Sequence, residues 1–394
     1  MVALRFDFRD LFRSNRLAFS LQRIWIQFLG LSVGYFGYFI FTILSFLIAG
    51  KSISWIIDQY GLFPCLLATS EQVPLIAKFV FGIGCLFLTI AFLITNTAVS
   101  RASFMVLKGN NFYTWREAFA FSLKKSGAVL LSPIAIGLLI VAFLVGAWFI
   151  GLLGRIPNLG EIGISLFTLI WISASLFMVF LTLVGGVVFI LAPAILATTN
   201  EDAFEAIFQS FSTSWSQPWR LILYEGIVGI LSVTGFVILA IFVKRSFLLM
   251  NELLSFSMGD NYIKLAAHAQ YILQSWTLSI KDWLTNIFGS LTPYFYFSRD
   301  FIARELPITV NIAAYIFSIN MVIVGFLVLS YLLATFNTGS MITYLVLRRL
   351  KDDENLLERQ DEEFEQKEEE MITEESARSK NDKESENKTE IKES

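Results

Sequence analysis

The sequence is poor in the side chains that metal sites and most enzymes use. It contains one histidine, His268, and two cysteines, Cys65 and Cys85. A zinc or iron site built from histidine and cysteine needs three or four ligands, so three such residues leave little basis for one. No pair of carboxylates, Ser-His arrangement or glycine-rich phosphate loop stands out. The sequence therefore predicts neither an enzyme nor a bound cofactor.

Charge is also scarce. Charged residues make up 16% of the 394 residues, and the mean hydropathy is +0.64. A soluble domain carries about 25% charge, so that class is excluded. The charges are unevenly placed: residues 351–394 have a net charge of −10, and residues 1–350 have a net charge of +7. This predicts a membrane domain over 24–350 and a disordered acidic tail over 351–394.

Charge-poor runs give the predicted membrane spans, since a crossing helix needs roughly 20 apolar residues. Six runs qualify: 24–50, 79–100, 126–154, 162–200, 221–243 and 306–347. The predicted fold is an all-α membrane bundle of about six transmembrane helices. The fourth and sixth runs hold 39 and 42 residues, more than one crossing requires. They either extend beyond the bilayer or break, with Pro193 and the Gly185-Gly186 pair marking bends.

Lysine and arginine predict the orientation. With six crossings, the segments 1–23, 101–125, 201–220 and 348–351 share one side and carry 14 of these residues. The two short opposite loops carry three. The positive-inside rule therefore places both termini in the cytoplasm. Segment 244–305 is then extracytoplasmic, and its helical apolar spacing from Trp276 to Ile287 predicts an outer cap helix.

The N-terminal segment 1–23 carries arginines at helical spacing beside two phenylalanines. This pattern predicts an amphipathic helix on the anionic inner leaflet, and a topology signal alone is the alternative. Membrane lipids are thus expected partners, and the acidic tail could recruit a protein partner. No stripe typical of nucleic-acid binding is present. The arginines at helical spacing in the N-terminal segment are Arg5, Arg9, Arg13 and Arg16.

A short motif recurs in two of the predicted cytoplasmic connections, with an offset of 88 residues. Each copy follows one hydrophobic span and precedes another. We interpret it as an interfacial helix that links two crossings like an elbow, and as an internal repeat of parallel type. The two copies are Glu117-Ala118-Phe119-Ala120-Phe121-Ser122 and Glu205-Ala206-Ile207-Phe208-Gln209-Ser210.

Glu225 is the only acidic residue inside a predicted span. A carboxylate at membrane depth is a functional-site hypothesis by default. One interpretation is a lock between helices, with Arg220 or a neighbouring helix as the partner. The other is a proton- or cation-coupled site in which Glu225 binds the ion and Asn96 or Asn320 lines the path.

Residues 90–350 resemble a family of bacterial multi-pass proteins, similar to the membrane domain attached to some glycerophosphodiester phosphodiesterases. The resemblance rests on the elbow motif, on Pro218-Trp219-Arg220 and on the final helix that ends at Arg349. It implies a bacterial inner-membrane protein with this topology and no activity, because the phosphodiesterase catalytic domain has no counterpart here. The function expected from the sequence is a structural or interaction protein, and a transporter or channel is the alternative.

Overall fold

The computed structural model describes residues 4–69, 73–157, 159–277 and 307–359. These residues form helices and no β-strand, so the all-α prediction is confirmed. The α-helices are α1 (Arg13–Ala18), α2 (Leu21–Ile48), α3 (Ile53–Tyr60), α4 (Leu75–Leu107), α5 (Trp115–Lys124), α6 (Ser126–Leu153), α7 (Leu159–Leu166), α8 (Thr168–Thr199), α9 (Ala203–Ser216), α10 (Pro218–Met258), α11 (Asp260–Trp276) and α12 (Ile308–Asp352). Two 3-10 helices, Phe8–Phe12 and Leu66–Ala68, complete the set.

Six of these helices are long and apolar enough to cross a membrane: α2, α4, α6, α8, α10 and α12. They hold 28 to 45 residues. At a rise of 1.5 Å per residue, α12 is about 68 Å long, against a hydrocarbon core of roughly 30 Å. The sixth run is therefore one continuous helix that extends well beyond a single crossing.

The other long runs differ from the prediction in where they break. The fourth run divides at Phe167, between α7 and α8, and α8 then continues through Pro193 to Thr199. The fifth run extends past Val243 to Met258. It ends at Gly259, whose φ of +61° lies in the left-handed region that favours glycine, and α11 begins at the next residue.

The six long helices group with three short helical segments into three units. Each unit begins with an elbow, continues with an outer helix that leads away from the elbow, and closes with an inner helix that leads back. The first unit spans residues 7–107, with Phe8–Ala18 as its elbow, α2 as outer helix and α4 as inner helix. The second spans 114–199, with α5, α6 and α8. The third spans 202–352, with α9, α10 and α12.

The units pack as a ring. Within each unit the outer helix packs on its own inner helix, and the three inner helices contact one another. Each elbow packs on the inner helix of the preceding unit: α5 on α4, α9 on α8, and α1 on α12. The contact between α1 and α12 closes the ring. We call the side of the molecule that carries the three elbows the elbow face.

The core is closed at the elbow face. There the inner helices are buried on every side, over Thr95–Met105 in α4, Leu191–Thr199 in α8 and Asn337–Leu347 in α12. Small and hydroxyl side chains are frequent in these stretches, which lets the helix backbones approach closely.

Away from the elbow face the second unit stands apart from the other two. Residues 141–150 of α6 and 172–177 of α8 are exposed throughout. The first and third units remain joined at this end, because the Leu62 amide donates to the Trp276 carbonyl at 2.9 Å and the Tyr35 ring meets the Phe326 ring at 5.4 Å. The hairpin of α6 and α8 is therefore held mainly from the elbow face.

Two sequence predictions lie mostly outside the described residues. The outer cap stripe is described only as far as α11, which ends at Trp276 and packs on α12, and its members Ile280, Trp283, Leu284 and Ile287 fall beyond. The acidic tail is described only as far as Arg359, and this first part differs from the predicted disorder: Lys351 and Asp352 belong to α12, and Leu356 is buried in the core.

Candidate functional site

Polar side chains collect where the three inner helices meet. Most of their hydroxyls bond a carbonyl of their own helix: Thr97 donates to Leu93, Thr198 to Ala194 and Thr335 to Tyr331, at 2.8 to 3.0 Å. These bonds satisfy the hydroxyls locally, so the helices can bring threonine and serine into a dry interface. The remaining polar groups link one helix to another.

Three amides form the first of these links. The Asn337 side chain donates to Asn96 Oδ1 at 2.7 Å and to Gln27 Oε1 at 3.2 Å. The three residues lie on α12, α4 and α2, and each is buried. We call them the amide cluster. It joins the first and third units through side chains that carry no charge.

A second set of contacts surrounds Arg101. The Ser103 and Thr338 hydroxyls lie 2.9 Å apart and connect α4 to α12. Arg101 is fully buried, donates to the Ala197 carbonyl at 3.0 Å, and lies 4.2 Å from the centre of the Phe121 ring. One arginine therefore contacts α8 and the second elbow together, and its charge is stabilised by a carbonyl and by an aromatic face.

Glu225 contacts α12 close to these groups. Its carboxylate accepts a hydrogen bond from the Ser340 hydroxyl at 2.8 Å, and the Thr343 hydroxyl faces it. Its second oxygen, Oε1, is buried and has no hydrogen-bond partner among the described residues. Glu225 therefore joins α10 to α12. Of the two partners considered from the sequence, Arg220 and a neighbouring helix, the structure has the neighbouring helix.

The structure separates the predicted site residues into two groups. Asn96 and Glu225 both meet the Asn337–Ser340 segment of α12. Arg220 is exposed and forms no ion pair with Glu225 among the described residues. Asn320 is also exposed, and its side chain donates to the Ile316 carbonyl of its own helix. Asn320 lies 20 residues before Ser340. That separation is about 30 Å along α12, so Asn320 does not share a site with Glu225.

The predicted elbow motif has the same local structure in both copies. Thr114 caps α5 by accepting from the Glu117 amide at 3.3 Å, and Asp202 caps α9 by accepting from the Glu205 amide at 3.0 Å. The acidic residue is thus the third residue of each helix, a position typical of capping. The alanine and serine of both motifs face the core, and all four are fully buried: Ala118, Ser122, Ala206 and Ser210.

The first elbow also belongs to this set, although the sequence pattern did not predict it. Asp7 caps it by accepting from the Arg9 amide at 2.9 Å, and Asp10, three residues later, is fully buried. The signal was present, since Phe8-Arg9-Asp10 matches Trp115-Arg116-Glu117 in residue type and in distance from the cap. The elbow begins as a 3-10 helix, which shifts its buried serine to Ser14, four residues after the acid.

No family model, curated protein or solved structure matches the chain.

Proposed function

We propose that this protein is a scaffold of the inner membrane, without catalytic activity, that holds another membrane protein against the hairpin of α6 and α8. The proposal rests on the exposure of the side chains of this hairpin. Among the described residues, every side chain of 141–150 in α6 is exposed, even Phe143 where its ring meets Phe177 of α8 at 5.6 Å, whereas the outer helices of the first and third units are covered along one face by their inner helices.

The composition of α6 suits another helix as the occupant. A Cβ atom added at Gly137 or Gly151 would meet no described atom within 4 Å, and the two glycines lie on the same face of α6, about 14 residues apart. Such open glycines allow a second helix backbone to approach, and close approach is what drives helix association in lipid. Membrane lipids cover the rest of the apolar surface.

The closed end of the core favours a scaffold over a channel. Its amide cluster, the Ser103–Thr338 pair and Arg101 all bond protein groups directly. Polar side chains used in this way hold helices together and do not line a passage.

The proposal includes a topology and an origin. We place the elbow face and both termini in the cytoplasm, on the strength of the 14 basic residues in the segments of that side. We regard the three units as copies of one ancestral element that was repeated in parallel, supported by their common order of elbow, outer helix and inner helix. The acidic tail is the proposed recruiting segment on the cytoplasmic side.

Site-specific photo-crosslinking in native membranes tests the scaffold. A photo-reactive residue at Trp148, on the uncovered part of α6, is expected to give one discrete adduct with a second protein. Phe36 is the matched control, because it is an exposed aromatic residue on the outer helix of another unit; the two are 61% and 65% exposed. Lipid adducts alone at both positions, or an adduct at twice the mass of this chain, would contradict the proposal.

Ion-coupled transport is the second candidate, and Glu225 is the observation that favours it. A carboxylate with one buried, unpartnered oxygen could take up a proton or a cation. Asn96 would then belong to its surroundings through Asn337, while Asn320 would not. A flux measurement on Glu225→Gln separates this candidate from the scaffold.

A further inference from the structure

The chain does not leave the molecule where α12 ends. Residues 353–359, which we call the strap, turn back across the elbow face. Asp353 reverses the chain with a φ of +54°, and Arg359 then lies beside the other two inner helices. The Lys108 ammonium, at the end of α4, donates to the Arg359 carbonyl at 2.6 Å, and the Arg359 guanidinium pairs with Glu201, just after α8, at 2.8 Å. The strap thus touches the ends of all three inner helices.

One leucine anchors the strap. Leu356 is 2% exposed and belongs to the main apolar core, and Leu357 packs partly against the same core. Asn355 sets this orientation: its side chain accepts from the Leu357 amide at 3.2 Å and donates to Glu358 at 2.6 Å. The closed end therefore contains an apolar recess that takes a leucine pair presented by a tight turn.

Charged groups surround the recess. Arg348 pairs with Asp352, the last residue of α12, at 2.9 Å and with Glu354 of the strap at 2.8 Å. These groups are only partly covered: Glu354, Arg359 and Glu201 are 36%, 46% and 42% exposed in their side chains. Ion pairs at such exposure stabilise weakly and are screened by salt. These ion pairs fix the position of the strap, while Leu356 is its one buried side chain.

We propose that this recess is a docking site for a cytoplasmic segment of a partner protein, one with a leucine pair between acidic residues, and that the strap occupies the recess in its absence. The inference rests on the proposed scaffold and adds a second contact on the elbow face. The chemistry of the partner is read from the strap: apolar side chains fit the place of Leu356 and Leu357, and carboxylates fit Arg348.

Peptide binding tests the docking site. The probe is a fluorescent peptide with the sequence of residues 352–359, added to the full-length protein in detergent and followed by anisotropy. Leu356→Asp in the protein should release the strap, since it places a charge in the apolar recess. We expect the peptide to bind this variant at least ten-fold more tightly than it binds the wild-type protein. A peptide that carries the same Leu356→Asp change should bind neither.

A second variant keeps the test valid if Leu356→Asp does not fold. Glu354→Arg faces Arg348 with a like charge and leaves the leucine pair intact, so it should raise peptide affinity by a smaller factor. Size-exclusion profile and thermal midpoint establish that each variant is folded. If the folded variants bind the peptide no better than the wild type, the strap is a permanent cap and the docking site is wrong. The crosslink at Trp148 does not depend on this result, so the scaffold and the docking site can fail separately.

Discussion

At the scale of single residues, the amide cluster shows what the polar side chains of this protein do. Asn337 donates two hydrogen bonds, to Asn96 and to Gln27, and all three side chains are buried. A hydrogen bond between membrane helices contributes modestly, about 0.6 kcal/mol on average. Loss of the shared donor is more serious, because two buried carbonyl oxygens then lose their partner together.

Asn337→Leu should therefore lower the free energy of unfolding by about 1–2 kcal/mol, since leucine has a similar size and cannot donate. Unfolding in mixed micelles by increasing the fraction of a denaturing detergent measures it. Asn320→Leu is the matched control on the same helix, because Asn320 is exposed and bonds only its own helix. Equal loss in both variants would show that the cluster holds nothing together.

At the scale of helices, glycine decides how closely the first outer and inner helices pack. A Cβ atom at Gly84 would lie 2.9 Å from Phe41 Cβ and 3.4 Å from the Tyr38 carbonyl oxygen. A Cβ atom at Gly82, two residues earlier on α4, would meet no atom of the described residues within 4 Å. The two glycines therefore differ in packing while they share a helix and a membrane depth.

Gly84→Ile should destabilise the protein by about 1–3 kcal/mol, because the added side chain forces α2 and α4 apart. Gly82→Ile should leave stability unchanged or raise it slightly, since it only replaces a residue with poor helix propensity. The thermal midpoint of the purified proteins compares them. A larger loss at Gly82 than at Gly84 would mean that the helix pair packs through another face.

The helices themselves were predictable from the sequence, and their ends were less so. Long apolar runs mark the six spans because length and hydropathy suffice for a crossing. The break at Phe167 has no proline and no charge to announce it, and α10 continues past Lys244 and Arg245 although charges normally mark the end of a span. Both features depend on the surroundings of the helices and not on local composition.

At the scale of the whole molecule, the ring of units could not be predicted from two copies of a motif. The third copy, at Asp7–Asp10, lacks the Glu-Ala pair and begins as a 3-10 helix. Its contact with α12 joins residues more than 300 positions apart, and no local pattern encodes such a contact. The candidate site was predicted in part: Glu225 and Asn96 meet the same helix, whereas the partners Ser340, Asn337 and Gln27 became evident only from packing.

The proposed cytoplasmic position of the elbow face leads to a labelling prediction. On a background without Cys65 and Cys85, a cysteine at Asp353 should resist an impermeant thiol reagent added to intact cells. A cysteine at Asp260, the first residue of α11, should react with it. Both sites are exposed in the structure, so any difference between them reports the side of the membrane. The reverse pattern would invert the orientation, and equal labelling would exclude the six-span arrangement.

Proton flux into sealed proteoliposomes tests the central claim, that the polar core holds helices together and does not conduct. The wild-type protein, reconstituted around a pH-sensitive dye and given an inward proton gradient and a potassium diffusion potential, should acidify the lumen no faster than protein-free vesicles. Glu225→Gln should behave in the same way. Acidification in the wild type that Glu225→Gln abolishes, with the variant still folded, would contradict the account and make Glu225 part of a conducting site.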